Sequence, residues 1–452
     1  MVATDAEHVL RACHDGGVRL ARFLYCDNGG VIRGKATAMS GLAGRLADGI
    51  GLTVAMMAMN SLDQLQPVAG MGPVGEVRLV PDLDTFAVLP YVPRSAAFFC
   101  DMLRLDRAPW GACPRSFLKR MRERAAAQGL TLRASLEAEF SLALPTPEGG
   151  YRPFDRTLCF STVAMTQAAA FADALVGALE AQGLTVEQYY PELAHGQHEI
   201  SVRHAEALRA ADNHLTLRET IRGVAREHGL AASLAPKPWP DAAGNGAHIH
   251  FSLWDAAGGN AFFDASAPDS LSERGRHFLA GVLAHLPELV ALTCPSVNSY
   301  RRLQPQTWSS AFAVWGHDNR EAALRVASPF WSNAADTVNL ELKAADSSCN
   351  PYLALGGLLA AGLDGLDRRL EPPAPVEEDP AALTEEQRRE CGIRRLPSTL
   401  EEALAALESN PFLTDALGPL LAESYLAVRR SEAAAYRDQG VDFEIAGHFD
   451  KY

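Results

Sequence analysis

Residues 132–144, LRASLEAEFSLAL, constrain the fold more than any other stretch of the chain. Leu132, Ala134, Leu136, Ala138, Phe140, Leu142 and Leu144 share one parity, and Arg133, Ser135, Glu137, Glu139 and Ser141 share the other. That is the period-two signature of a half-buried strand. Both carboxylates therefore leave the same face, ~7 Å apart along the strand. Side by side they repel unless a cation, a set of donors or bulk water lies over that face.

Composition narrows what such a face is for. With 452 residues, 48% apolar and 21% charged, the chain is long enough for a large core and more than one domain. A formal net charge of -14 and the lack of any long Lys/Arg cluster argue against a nucleic-acid partner. Small-molecule partners are expected. The eight cysteines stand singly at 13, 26, 100, 113, 159, 294, 349 and 391 without a CxxC pair, as reduced thiols do. The start of the chain has no signal-peptide profile, and the most apolar segments, 278–297 and 351–366, are interrupted by His, Glu, Pro or Asp. No membrane span and a cytoplasmic location are expected.

Two units follow from the punctuation. Residues 18–25 and 31–37 flank Asp27-Asn28-Gly29-Gly30, a hairpin signal, and the apolar runs 76–79 and 85–90 extend a small sheet. Residues 107–114, RAPWGACP, break the pattern, which predicts an N-terminal domain over 1–108 and a larger second domain over 109–452. In the second, helices are predicted over 115–128, 168–182 and 205–228, stopped by Gly129, Gly183 and Gly229. Ser398 with Glu401 predicts a capping box, residues 411–437 one or two helices, and the proline-rich acidic run 371–380 a surface excursion.

Four further segments alternate like the first. In 247–254, AHIHFSLW, His248, His250 and Ser252 share a face behind the flexible Gly244-Asn245-Gly246. In 198–203 Glu199 and Arg203 oppose Ile200 and Val202, with Glu192 seven residues before Glu199. In 338–344 Asn339, Glu341 and Lys343 share one parity, and 320–326 offers Arg320 and Arg325. Five such segments in one curved sheet form a cup with a charged lining. If the five glutamates converge, each pair at ~4 Å costs on the order of 4 kcal/mol at an effective dielectric near 20. Cations must then be present. Carboxylates with one or two imidazoles suit Mg²⁺ or Mn²⁺, ions that commonly hold the phosphates of ATP, while the arginines would face a phosphoryl group in transit. Any nucleotide is held without a Walker loop or a GxGxxG turn.

In this order the residues resemble the glutamine synthetase superfamily over essentially the whole chain. The motifs are ExE (Glu137, Glu139), E-x6-E ending GQxE (Glu192 to Glu199), NGxHxHxS (245–252), NSYxRLxP (298–305), NRxAxxR (319–325) and LExxxxDxxxNPYLAL (340–355). The resemblance implies an α+β fold, a β-grasp N-terminal domain followed by a catalytic domain with a curved antiparallel sheet cup and surrounding helices. It also implies homo-oligomeric double rings, decamer or dodecamer, with active sites shared between subunits. Carried over, Glu139, Glu192 and Glu199 match the ligands of one metal, and Glu137, His248 and Glu341 those of a second, with two or three Mg²⁺ or Mn²⁺ per site. His250, Ser252 and Arg325 match ATP contacts, and Arg320 and Arg325 the pair facing the phosphoryl group. Asn245, Gly246 and Arg302 match the residues holding glutamate, as does the position of Lys343. The implied reaction is ATP-dependent: the γ-carboxylate of glutamate takes the γ-phosphate, and an amine displaces phosphate from the γ-glutamyl phosphate.

The departures matter most. Ammonia-using members carry a glutamate in the flap after NSYxRLxP, where this chain has Gln306-Thr307-Trp308-Ser309-Ser310. Their acidic N-terminal segment is matched here by Ala58-Met59-Asn60-Ser61-Leu62. An ammonium ion gains from carboxylates, an organic amine from apolar area at roughly 25 cal/mol per Å². An organic amine acceptor is therefore expected, as in γ-glutamylpolyamine, γ-glutamylmethylamide and γ-glutamylanilide synthetases, with a monoamine favoured over a polyamine. The alternatives are an ordinary ammonia-using glutamine synthetase and a catalytically silent ring-forming scaffold. Lys343 stands where arginine is usual, and Asn339 where arginine is frequent; glutamate is the expected acyl donor. No tyrosine lies between Tyr352 and Tyr425, so tyrosine adenylylation in that loop is not expected.

Overall fold

A computed structural model describes residues 4–452; residues 1–3, the start of the expected N-terminal unit, lie outside it. The strands run β1 Leu20–Cys26, β2 Ile32–Ala38, β3 Ile50–Thr53, β4 Glu76–Pro81, β5 Ala87–Val88 and β6 Ser95–Leu103 in a first sheet of order β2-β1-β6-β4-β3, with β5 beside β6. The second sheet contains β7 Leu130–Pro145, β8 Tyr151–Pro153, β9 Val186–Pro191, β10 Gln197–Val202, β11 Ala205–Glu206, β12 Ala231–Ser233, β13 Ala247–Asp255, β14 Phe312–His317, β15 Ala322–Ala327, β16 Asn339–Leu342 and β17 Arg394–Arg395. Its order is β17-β14-β15-β16-β13-β7-β10-β9, so the strand with the two glutamates lies at its middle. All five alternating segments contribute to this one sheet, and its pairs are antiparallel except β14 with β15. In the first sheet β1 pairs with β6 in parallel.

One face of β7 packs into the main core. Leu130, Leu132, Ala134 and Leu136 join Ile249, Phe251 and Leu253 from β13 beneath the helices Pro114–Ala126, Glu273–Ala284 and Pro351–Arg368. The last two helices touch through their backbones: a Cβ on Gly281 would sit 2.3 Å from Ala361 O, and one on Gly365 2.1 Å from His277 O. Two polar anchors join the first sheet to the second unit. Arg115, buried, donates to Asp82 and Asp101 of the first and to Asp212 of the second. The β1–β2 turn is gripped by Asn350 Nδ2 on Cys26 O and Asp27 O (3.1 Å each) and by Arg218 on Gly30 O (2.9 Å).

Details differ from the sequence expectations for local reasons. The helix expected over 205–228 is Ala207–Glu227, because 205–206 pair with β7 first. The run 85–90 gives only a two-residue strand after a 3-10 turn, Leu83–Thr85. The capping box expected at Ser398 and Glu401 is displaced by one residue. Thr399 caps Leu400–Ser409 by accepting from Glu402 N, while Ser398 donates back to Glu402. The full capping box lies at Thr384 and Gln387. All eight cysteines are free thiols, and among the described residues no helix is long and apolar enough to cross a membrane.

Candidate active site

Strand register assembles the site. On β13 and β7 His248 faces Glu137, on β13 and β16 His250 faces Glu341, on β15 and β16 Arg325 faces Glu341, and on β10 and β7 Glu199 faces Glu139. Directly opposed residues on a common face approach to ~5 Å, so β7, β10, β13, β15 and β16 each present a charged or titratable group to a neighbour's. Glu137, His250 and Glu341 form the tightest group, their ligand atoms all within 4.8 Å of one another. His248 Nδ1 lies 3.4 Å from Glu341 and 3.8 Å from Glu137, and its Nε2 3.7 Å from Glu139. Both imidazoles therefore belong to the cluster, beyond the single one the sequence assigned to metal.

The supports are local. Gly196 turns the chain from β9 into β10 with φ +70°, placing Glu192 and Glu199 on either side of a tight loop. Gln197 donates to Glu139 (2.8 Å) and to Gly244 O (2.8 Å), tying ExE to the loop before β13. The Tyr190 hydroxyl donates to Glu199. Asn339 accepts from His250 Nδ1 at 2.9 Å, which leaves Nε2 facing Glu137 (3.4 Å) and Glu341 (3.7 Å), buried and without a hydrogen bond. None of these partners was given a role from sequence, although Gln197 stands within the GQxE motif.

Electrostatics divides the cup in two. Burial opposes charge on Glu341, but Lys343, His250, His248 and Arg325 surround it and hold its carboxyl down at about 2. Glu137 is likewise held well below the usual carboxylate range, against burial, by His248 and His250. Burial would lower His250, but Glu137 and Glu341 push it up to about 9. The other half lacks such cations. Burial and then the charge of Glu139 raise Glu192 to about 7, and burial with Glu137 and Glu139 raises Glu199 well above its usual value. Uncompensated carboxylates at one end and an orphaned imidazole nitrogen at the other form a donor set that fits hard divalent cations.

The expected substrate residues surround this cluster unevenly. Arg302 is buried and donates to Ala345 O (2.8 Å), and its Nε has no partner. Gly246 lies against it: a Cβ there would meet His248 Nε2 at 2.7 Å and the Arg302 guanidinium at 3.3 Å. The Asn245 side-chain amide is consumed by Ala235 O (3.0 Å) and Ser233 O (3.3 Å) and its backbone N–H by Pro236 O (2.8 Å), so this residue offers a ligand its backbone carbonyl oxygen rather than its side chain. Lys343 Nζ is 3.6 Å from Glu341. Ser252 accepts from Trp254 Nε1 (2.9 Å), whose ring lies under the Arg133 guanidinium. Arg320 precedes β15, is exposed and makes no ion pair among the described residues, so only Arg325 of the two arginines reaches the cluster.

The flap and the N-terminal loop are built without free acid. Trp308 is 54% exposed. Gln306, Trp308 and Ser310 all adopt the left-handed region, with φ of 58°, 55° and 68°, at roughly 1 kcal/mol or more each for non-glycine residues. Asn60 is buried, holding its own loop through Leu62 N and Gln64 N and donating to Ser431. Asp63 in that loop pairs with Arg33 at 2.7 Å.

Comparison with known proteins agrees with this geometry. The family described as "Glutamine synthetase, catalytic domain" matches residues 111–448, and "Glutamine synthetase N-terminal domain" matches 6–110. The gamma-glutamylpolyamine synthetase GlnA3 of Streptomyces coelicolor is 37% identical over 439 residues, covering 96% of this chain and 94% of that protein. A glutamine synthetase of Mycobacterium tuberculosis is 36% identical over 449 residues, covering 97% and 98%. Among solved structures, a "novel glutamine synthase homolog" superposes with a TM-score of 0.86 at 35% identity, covering 96% of this chain and 99% of that one. A GmaS/ADP complex superposes with a TM-score of 0.85 at 28% identity, covering 98% of each.

Proposed function

The chain belongs to the glutamine synthetase family of ATP- and metal-dependent ligases, and from that premise we propose that it joins the γ-carboxyl of L-glutamate to an organic amine rather than to ammonia. The observation that carries the proposal is Trp308, an indole in the flap position where ammonia-using members are expected to place a glutamate. About 60 Å² of apolar contact with an alkyl or aryl amine is worth ~1.5 kcal/mol, roughly tenfold in kcat/KM, and ammonium cannot make it. The loop around Asn60 supports the same reading, because the acids beside it are already paired, Asp63 with Arg33 and Glu432, which accepts from Ser61 N, with Arg429.

Glu139, Glu192 and Glu199 would hold one divalent cation, and Glu137, Glu341 and the imidazoles a second. Bound there, the cations would supply positive charge to screen the approach of the glutamate γ-carboxylate to the ATP γ-phosphate. Arg302 and the backbone at Asn245-Gly246 orient glutamate, His250 and Ser252 lie toward the nucleotide, and Arg325 stabilises the phosphoryl group as it moves. The γ-glutamyl phosphate is then attacked by the amine, whose proton leaves with the departing phosphate. Excluding water at this stage protects the acyl phosphate. As in the family, the working unit is a homo-oligomeric ring in which a neighbouring subunit completes the acceptor side.

Scarcity of free carboxylates favours a monoamine. A polyamine acceptor is the second reading, favoured by the 37% identity to a gamma-glutamylpolyamine synthetase. Phosphate release measured with ATP, Mg²⁺ and glutamate across a panel of monoamines, aryl amines, polyamines and ammonium separates them. A monoamine at the head of the panel supports the proposal; a polyamine there supports the second reading, and ammonium there overturns both.

A further inference from the structure

Glu321 takes no part in the metal cluster, yet it is buried, 8% exposed, and its Oε1 accepts from the Trp308 N–H at 2.8 Å. Its own N–H donates to Asn319 Oδ1 at 3.0 Å, and Asn319 is fixed in turn by donating to Val376 O (2.8 Å) and Glu378 O (3.0 Å). The carbonyl of the preceding Arg320 accepts from Ser310 Oγ at 3.2 Å. Two hydrogen bonds thus tie the flap, residues 306–310, to a two-residue segment at the start of β15. The flap needs such ties. Gln306, Trp308 and Ser310 are all left-handed without being glycine, a conformation that an unrestrained loop abandons. The half-exposed Trp308 ring supplies little packing to hold it there.

We propose that Glu321 is a positioning residue: its carboxylate holds the Trp308 flap closed on the acceptor side of the site, so that the acyl phosphate meets an amine rather than water. The proposal rests on the ligase reading above and adds to it the part that decides between two fates of one intermediate. With the flap in place, the amine nitrogen forms the new C–N bond, the acyl C–O bond to phosphate breaks with its electron pair on phosphate, and the amine proton goes to phosphate. With the flap loose, water forms a C–O bond at the same carbon, phosphate leaves in the same way, and glutamate is regenerated with ATP spent. The same tether sets the backbone of Arg320, so the flap and the arginine beside it move together or not at all.

The test compares Glu321→Ala and Glu321→Gln with the wild-type protein, reading phosphate release and amide formation in the same reaction with saturating glutamate and MgATP. The acceptor is whichever amine, ammonium included, gives the highest wild-type rate. In Glu321→Ala the ratio of phosphate to amide rises about tenfold and the acceptor KM rises similarly, while the KM values for ATP and glutamate stay within about twofold. Glu321→Gln retains a carbonyl oxygen for the Trp308 N–H and recovers most of the coupling. A wild-type ratio and acceptor KM in Glu321→Ala overturn the proposal. So does a uniform loss, with the melting temperature and every KM worsened together and no recovery in Glu321→Gln, because that pattern marks a residue needed only for folding. Ammonium as the best wild-type acceptor refutes the organic-amine reading, and the coupling ratio measured with ammonium still decides the role of Glu321.

Discussion

Replacing Gly196 by alanine tests whether the turn between β9 and β10 sets Glu192 and Glu199, the proposed metal ligands. The residue has φ +70°, and an added Cβ would lie 2.5 Å from Leu142 O and 2.9 Å from Phe154 N. Both obstacles are backbone, and Leu142 N is itself bonded to Gly196 O at 2.7 Å, so β7 must shift. The left-handed conformation costs an alanine about 1–2 kcal/mol, and forcing atoms into a packed site adds about 1–3 kcal/mol. Gly129 separates the two costs: its φ is +71°, but a Cβ there meets nothing within 4 Å. At about 2 °C per kcal/mol, Gly129→Ala loses about 2–4 °C and Gly196→Ala about 4–10 °C in thermal unfolding followed with EDTA present. Because Glu192 and Glu199 flank the turn, Gly196→Ala also weakens Mg²⁺ or Mn²⁺ binding by about tenfold or more, as changes beside metal ligands do, and Gly129→Ala leaves it unchanged. Equal melting temperatures and equal metal affinities in the two variants would refute the assignment of the turn.

Other outcomes follow from the same geometry. Glu192 is raised to about 7 from the usual 4.5, so the metal-free protein binds a proton there that the unfolded chain has lost; this contribution is full below pH 4.5 and vanishes as pH rises through 7. A divalent cation reverses the sign by selecting the ionised form, so the Mg²⁺-induced rise in melting temperature should grow from pH 5.5 to 8, and a flat profile contradicts it. Trp308→Glu restores an acid to the flap and should shift the ratio of kcat/KM for organic amine over ammonium toward ammonium by about tenfold or more, read by steady-state kinetics with each acceptor. Arg115→Met strands Asp82, Asp101 and Asp212 around a buried position and should destabilise by about 3–5 kcal/mol in denaturant unfolding.

Much of the site was legible because it lies on strands. Parity alone put Glu137 with Glu139 and His248 with His250, and antiparallel pairing then placed His248 opposite Glu137 and His250 opposite Glu341. What the sequence hid has physical reasons. The central strand β6, SAAFFCDML, carries no alternation because nearly all of it is buried, and a continuous apolar run reads equally as helix or strand. Asn339 looked like a lost arginine, and only register shows it orienting His250. The left-handed residues of the flap carry no glycine to announce them, and the carboxylate that accepts from Trp308 N lies thirteen residues downstream. Ser398 and Thr399 are both competent caps, and in the fold Thr399 caps the helix while Ser398 donates to the Glu402 carboxylate.

The most direct measurement places one organic amine and ammonium in competition, at equal concentration, with limiting ATP and saturating glutamate, and quantifies γ-glutamylamide and glutamine by mass spectrometry. The product ratio equals the ratio of the two kcat/KM values. The indole at 308 predicts at least about ten γ-glutamylamides for each glutamine with the best amine of the panel. Glutamine equal to or exceeding the amide for every amine tested contradicts the account.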